Sequence, residues 1–308
     1  MLSLWIKQLA RLYLPVYKYE SDTIKIAYAG YSSIKRNYFS RLLPESNCNQ
    51  TFLGMRWFWQ IPSAIESYNI DLLISEVSSI SIKYFHNEKG YMLPVWIAMR
   101  INIDRPLNEI LKRSNSHFSD VLKRIRKYNL TYEILTDEED FDYFKEKLYL
   151  PYITKRHGEE AIVADLKKKW ESSESPSLIS VKEDGKIVAG SLINKTGDCL
   201  YGLRLGILDG NEEYLRHGVV GAIYYFSILE GQKMGCRYLN VGTARPFLSD
   251  GLTKYKMGLG AEFIADKTTL KEYLWLGFNE QSIAAKEFIR NNPFKYLNKD
   301  HKLVNSTT

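Results

Sequence analysis

The apolar and polar positions divide the chain into short segments of changing period. "TIKIAYAG" and "DLLISEVSS" read as buried strands, "IPSAIESYN" as a short helical element between them, and "YMLPVWIAMRINI" as a long apolar strand interrupted by Pro94. Between Asp104 and Asn108 a strand turns into a helical run. From Phe118 onward, Val121, Leu122, Ile125 and Tyr128 form one apolar face, while Lys123, Arg124, Arg126 and Lys127 crowd the other. "LTYEIL" is a strand. "TDEED" then fits a capping box, with Thr136 as N-cap and Glu139 reaching back, and it opens a helix that carries Phe141, Phe144, Leu148 and Tyr152 to a core.

The second half is more regular. "SLISVKEDGKIVAGSLINK" predicts a hairpin turning at Asp184-Gly185, and "TGD" turns the chain into a further strand, "CLYGLRLGIL". Arg216 and His217 then lead into a helix opened by Gly218 and Gly221, with Val219, Ala222, Ile223, Phe226 and Leu229 at helical spacing. After the strand "CRYLNVG" comes "LSDGLTKYKMGLGAEFI", which reads as loop, short helix and strand. Leu252, Tyr255 and Leu259 recur on its helical face, and Gly258 and Gly260 end it. At the other end of the chain, Leu2, Trp5, Ile6, Leu9, Leu12, Tyr13 and Val16 repeat at helical spacing. Lys7, Arg11 and Lys18 accompany them and no acid precedes Glu20, so the stripe fits either a core-covering helix or a basic interfacial one. "RWFWQIP" concentrates aromatics that suit a core or the wall of a groove.

Composition narrows the partners. A chain of 308 residues, 45% apolar and 13% aromatic, has material for about two domains with buried cores. A net charge of +6 permits phosphates, tRNA or an acidic membrane surface without demanding any of them. Cys48, Cys199 and Cys236 stand far apart in no metal-ligand spacing, and the five histidines form no metal motif, so no metal is expected and a reducing compartment fits. With no apolar run long enough to cross a bilayer and no signal-peptide pattern, the expectation is a cytoplasmic protein, at the inner face of the membrane if the N-terminal stripe is used.

The candidate chemistry lies around the glycine-opened helix and the stretch that follows it. A helix N-terminus presents free N–H groups and partial positive charge, and Gly218 and Gly221 would let a pyrophosphate approach, with Arg216 and His217 adjoining. Gly218 stands close after Arg216, and packing is the alternative use of both glycines. Tyr255, Lys256 and Asn240, with Asp209, Glu212 and Glu213 at strand ends, are the polar groups available to reacting atoms.

The hairpin, the glycine-opened helix and the order of strands resemble the GNAT superfamily of acyl-CoA N-acyltransferases. "YLNVG" followed by "GLTKYKMGLGAEF" looks more like the Fem-type branch, which builds peptide bridges of bacterial cell walls, and like related polysaccharide-modifying acetyltransferases. The likeness covers roughly Leu107 to Phe278 and extends to the first half only in outline. It implies an α/β (α+β) protein of tandem GNAT-like domains, each a mixed, mostly antiparallel sheet flanked by helices: a degenerate one over residues 1–106 and an active one over 107–308. It also implies an acyltransferase moving an acyl group from acyl-CoA, a co-substrate and not a tightly bound cofactor, to an amine of an amino sugar or peptide in cell-envelope or polysaccharide metabolism. In that scheme Tyr255 is the proton donor, Lys256 and Asn240 are polar catalytic groups, and Arg216, His217, Gly218 and Gly221 hold the donor. Gly218 falls one place early after Arg216 for the usual phosphate loop, and Gly221 one place late after Gly218. Fem-type enzymes take an aminoacyl group from tRNA instead, which makes tRNA the alternative donor, although no heptad stretch long enough for their helical arm is present. The alternative of another class is an inactive module that keeps the fold to hold RNA or an assembly.

Overall fold

The computed structural model describes residues 9–33, 35, 49–114, 117–158, 166–173, 176–266 and 270–306. The chain begins with β1 (Tyr13–Glu20), β2 (Lys25–Ala29) and β3 (Asn49–Trp57), then α1 (Ala64–Ser67), β4 (Leu72–Val77), α2 (Ile82–Asn87) and β5 (Tyr91–Pro94). The middle runs β6 (Ile97–Asn102), α3 (Leu107–Lys112), α4 (His117–Lys127), β7 (Leu130–Leu135), α5 (Glu138–Tyr143), a π-helical turn (Phe144–Tyr149), α6 (Leu150–His157) and α7 (Leu166–Glu171). It continues β8 (Ser177–Glu183), β9 (Lys186–Thr196), β10 (Cys199–Ile207), α8 (Glu212–His217), α9 (Val219–Lys233), β11 (Tyr238–Ala244), α10 (Gly251–Gly258) and β12 (Glu262–Ile264). The last elements are β13 (Tyr273–Phe278), α11 (Ile283–Asn291), β14 (Lys295–Leu297) and β15 (Leu303–Asn305).

These elements form two mixed, mostly antiparallel sheets, in the α/β class that the pattern predicts. Each sheet belongs to one compact unit, the first comprising residues 1–97, 244–253 and 265–308, the second 98–243 and 254–264. A single cut after residue 106 does not describe this division, because residues 265–308 join the first unit. Their strand β13 lies between β4 and β5, pairing antiparallel with both, so the first sheet is continuous only when the end of the chain returns to it. The run "YMLPVWIAMRINI" is likewise split. Pro94 cannot extend a ladder as a donor, and the residues on either side of it enter different sheets, β5 beside β13 and β6 beside β12.

The first unit orders its strands β15-β14-β5-β13-β4-β2-β1-β3 and packs apolar side chains on both faces, Leu14, Val16 and Trp275 in one cluster and Ile26, Leu93 and Leu276 in the other. The N-terminal stripe is not helical from Tyr13 onward. Pro15 is unsuited to a helix interior, and Leu14 and Val16 point inward at period two, as a strand requires; residues 1–8 lie outside the described residues.

The second unit has the order β12-β6-β11-β10-β9-β8-β7. The β8–β9 turn is as expected: Asp184 and Gly185 both have positive φ, 49° and 83°, the geometry of a tight two-residue hairpin. The helix after β7 begins after Asp137, not Thr136, and no side-chain hydrogen bond caps it. Its core residues act as predicted, for Phe141, Phe144, Leu148 and Tyr152 are all buried. The π-helical turn lies so close over β10 that a Cβ at Gly206 would come within 2.5 Å of the backbone of Leu148 and Tyr149. Backbone atoms on both sides cannot yield as a side-chain tip can. Gly206→Ala should therefore destabilise the fold by about 2–3 kcal/mol, read as a lowered denaturant midpoint with unchanged slope. A midpoint equal to that of the parent would mean that the turn does not pack this tightly.

Candidate active site

A parallel strand pair with its crossover helix organises the site. β10 pairs with β9 along its whole length, but with β11 only at Cys199–Tyr201 against Tyr238–Asn240. At Gly202–Arg204 the β9 ladder carries a bulge, with Leu203 as the extra residue, and the bulge bends the strand. Both strands continue, β10 to Ile207 and β11 to Ala244, with no further pairing between them among the described residues. The connection passes through α8 and α9, so the start of α9 follows the carboxyl end of β10. Open α/β sheets bind ligands in the crevice at the carboxyl ends of such strands.

Gly218 ends α8 and starts α9 in the left-handed conformation, φ 87°, which glycine adopts without strain. A Cβ there would meet Arg124 at 2.6 Å, and one at Gly221 would meet Val121 at 2.6 Å, so both glycines admit α4 to close packing. Gly221 is buried and faces α4. His217 is already engaged: its Nδ1 lies 3.0 Å from Glu183, and its ring stacks on Tyr128 at 3.9 Å. Arg216 keeps an exposed side chain, while its carbonyl accepts a 2.7 Å bond from Arg124. Asp209, Glu212 and Glu213 are exposed around the start of α8, where Asn211 caps the Glu213 N–H at 2.9 Å; among the described residues no hydrogen bond or ion pair links them to Tyr255 or Lys256.

The stretch around α10 differs most from its sequence pattern. Leu252, expected on the buried face, is 43% exposed, whereas Thr253 and Lys256 are buried with Leu259. The reason is hydrogen bonding where β11 ends. Thr253 Oγ1 donates to the Arg245 carbonyl at 3.0 Å, and Lys256 Nζ donates to the Thr243 carbonyl at 2.9 Å, so each polar side chain has a backbone acceptor. Asn240, also buried, accepts from the Gly242 N–H at 2.8 Å, and a Cβ on Gly242 (φ 77°) would lie 3.6 Å from Lys256 Nζ. Gly242 thus lies beside both Asn240 and Lys256, where β11 runs on past its pairing with β10.

Tyr255 opens onto a group that sequence reasoning passed over. Its ring lies 6.1 Å from that of Tyr224 on α9 and 6.4 Å from His117 on α4. Burial pushes the Tyr255 hydroxyl up to about 12, against the pull of the Arg124 charge, with Tyr152 adding to the rise. Burial raises Tyr224 too, Tyr255 and Tyr152 contributing. Arg124, one of the basic side chains of α4, stays exposed and lies between the start of α9 and this phenol cluster. Its aliphatic stem covers Gly218, its guanidinium holds the Arg216 carbonyl, and its charge reaches Tyr255. No periodicity signals such a role, since Arg124 looks like its neighbours Lys123 and Arg126. Among the described residues no group of three or more His, Cys, Asp or Glu side chains could hold a metal ion.

No protein-family model matches the sequence, and no curated protein matches it. Solved structures to which the fold is distantly similar include FemX, at 12% identity over 88% of this chain and 90% of that one, with a TM-score of 0.45. Another is the C-terminal domain (DUF2156) of a putative lysylphosphatidylglycerol synthetase from Agrobacterium fabrum, at 12% identity, 89% and 84% coverage and a TM-score of 0.40. A GCN5-related N-acetyltransferase from Kribbella flavida matches at 12% identity, 92% and 96% coverage and a TM-score of 0.32. At such identities the likeness is one of fold and not of substrate.

The geometry separates the neighbours Tyr255 and Lys256 by their effect on stability. Lys256→Met leaves the Thr243 carbonyl without its donor inside the protein and should lower stability by about 1–3 kcal/mol, whereas Tyr255→Phe should melt like the parent. The unfolded chain gives up the phenol proton near the ordinary value of 10, while the folded chain keeps it to about 12. Stability from this group is therefore complete below pH 10 and is lost as pH rises toward 12. Comparing ultraviolet tyrosinate titrations of the parent and Tyr255→Phe should show one missing phenol that titrates late; a missing phenol with an ordinary midpoint would contradict the placement.

Proposed function

We propose that the chain is a transferase, an N-acyltransferase that carries an acyl group from acyl-CoA to an amine of an amino sugar or peptide in cell-envelope or polysaccharide metabolism. The observation that supports this reading is the grouping of Tyr255, Lys256 and Asn240 where the parallel pair β10–β11 separates beside the start of α9. Two separating strands leave backbone groups that need partners, and an extended, amide-rich donor arm can supply them as an added strand does. The cationic start of α9, with Arg216 exposed beside it, suits the donor's phosphates. His217, bound to Glu183, steadies the turn from within.

In the reaction the amine nitrogen forms the new bond to the acyl carbon, the carbon–sulfur bond breaks, and the amine loses a proton while the thiolate gains one. Tyr255 retains its proton across the neutral range, so its role is to donate to the departing thiolate, and water restores it. The buried ammonium of Lys256 holds the end of β11 through Thr243 and sets positive potential where negative charge develops on the carbonyl oxygen.

The donor is tested through Arg216 rather than Gly221, because any side chain at 221 would collide with Val121 and disturb the fold. CoA and acetyl-CoA should raise the melting temperature of the parent, and Arg216→Glu should weaken that binding by about tenfold or more without changing the melting temperature of the free protein. Stabilisation by aminoacyl-tRNA alone, weakened by salt and by reversing the exposed charges of Lys123 and Arg126, would transfer the reading to a tRNA-borne donor. Indifference to both donors would favour the inactive module.

A further inference from the structure

The first unit holds two imidazoles that the proposed transfer chemistry does not use. His86 lies on α2 and His301 in the turn between β14 and β15, and their rings meet edge to face, centroids 5.0 Å apart and planes 73° from parallel. The turn is built to hold His301 there. The Asn298 side chain accepts from the N–H groups of Asp300 at 3.1 Å and Lys302 at 2.9 Å, while the Asn298 carbonyl accepts from the His301 N–H at 2.9 Å. His301 itself has φ 58°, a left-handed conformation that glycine and asparagine adopt more readily and that persists where its surroundings impose it.

His86 is half-buried, and its Nε2 atom is buried with no hydrogen-bond partner among the described residues. A neutral imidazole can leave that nitrogen bare, with its proton on Nδ1. An imidazolium cannot, because both nitrogens then carry N–H donors and the one at Nε2 meets no acceptor. Burial accordingly holds His86 below its ordinary value of 6.5, and the positive charge of His301 beside it lowers it further. No other charge takes part. Glu88, after α2, engages the Tyr84 hydroxyl, while Lys83 on α2 and Lys299, Asp300 and Lys302 on the turn are exposed and form no ion pair with either imidazole among the described residues.

We propose that the contact between His86 and His301 is an acid-released clasp, which fastens the β14–β15 turn to α2 while the rings are neutral and frees it when they take up protons. The opened turn accepts the His86 proton at the ordinary value and the closed turn only below it. The clasp is therefore complete above pH 6.5 and is lost as pH falls through the lowered value. Below it, like charges on adjoining rings and a buried N–H without an acceptor both favour opening, and the left-handed His301 can relax in the same step. Opening loosens β15, the outer strand of the first sheet, which pairs with β14 alone. The proposal concerns the first unit and stands apart from the identity of the acyl donor.

Limited trypsin cleavage of the full chain tests it, because Lys299 and Lys302 are exposed in the turn itself. Rates at these two lysines are measured in mildly acid and in mildly alkaline buffer, each divided by the rate for an unstructured peptide of the same sequence. In the parent the normalised rate should rise in acid by at least about threefold. His86→Phe keeps an aromatic ring without the proton and should show no rise. His301→Asn, which suits the left-handed position, should at least halve it, by about that factor, because the second charge is gone. A normalised rate independent of pH in the parent would overturn the proposal, as would an undiminished rise in both variants. An acid-induced rise spread over cleavage sites throughout the chain would overturn it equally, by assigning the effect to general unfolding.

Discussion

The second unit depends on the unequal demands made on β10. Its β9 side is satisfied antiparallel from Cys199 to Ile207, whereas its β11 side is satisfied parallel for only three residue pairs before the bulge at Leu203. A longer parallel ladder would close the crevice, and a shorter one would leave β11 without support from this neighbour. The crossover through α9 fixes the parallel sense and sets a helix start near the opening. The polar groups at the opening follow from the same geometry, because a strand that leaves its partner must have its carbonyls satisfied from elsewhere. Lys256 does this for Thr243.

Close approach carries the arrangement outward from the strands. Gly206 admits the π-helical turn, Gly218 and Gly221 admit Arg124 and Val121 of α4, and Gly258 admits the ring of His117. Each of these glycines sits where a Cβ would strike a neighbour, so α4 and the π-helical turn lie nearer the catalytic candidates than larger residues would allow. Arg124 stays exposed, with its stem over Gly218 and its guanidinium on the Arg216 carbonyl. The glycines expected to receive a phosphate sit close against α4, and Arg216 is an exposed cationic side chain at that turn.

The tyrosines supply the site's protonation character. Tyr255 and Tyr224 are held in their neutral form by burial, near one another and near Tyr152, with Arg124 as the opposing charge. A neutral hydroxyl held well above its ordinary range is a donor throughout neutral pH.

Much of this was determined by the sequence alone. The Asp184-Gly185 hairpin, the strand before α9, the left-handed Gly218 and the short helix ending at Gly260 are local events, governed by turn chemistry and by a period of two or 3.6. The sequence also determined which residues stood near the chemistry, for Asn240, Tyr255 and Lys256 lie close along the chain. Tertiary structure decided the partners. It divided one apolar run between two sheets at Pro94, returned β13 to the middle of the first sheet, buried Lys256 in place of Leu252, and brought Arg124, Tyr152 and Tyr224 to Tyr255. Periodicity records how often a side chain faces inward, but not which element it faces. A lysine can occupy an inward position only when a carbonyl from another strand waits for it, and nothing local to the helix specifies that carbonyl.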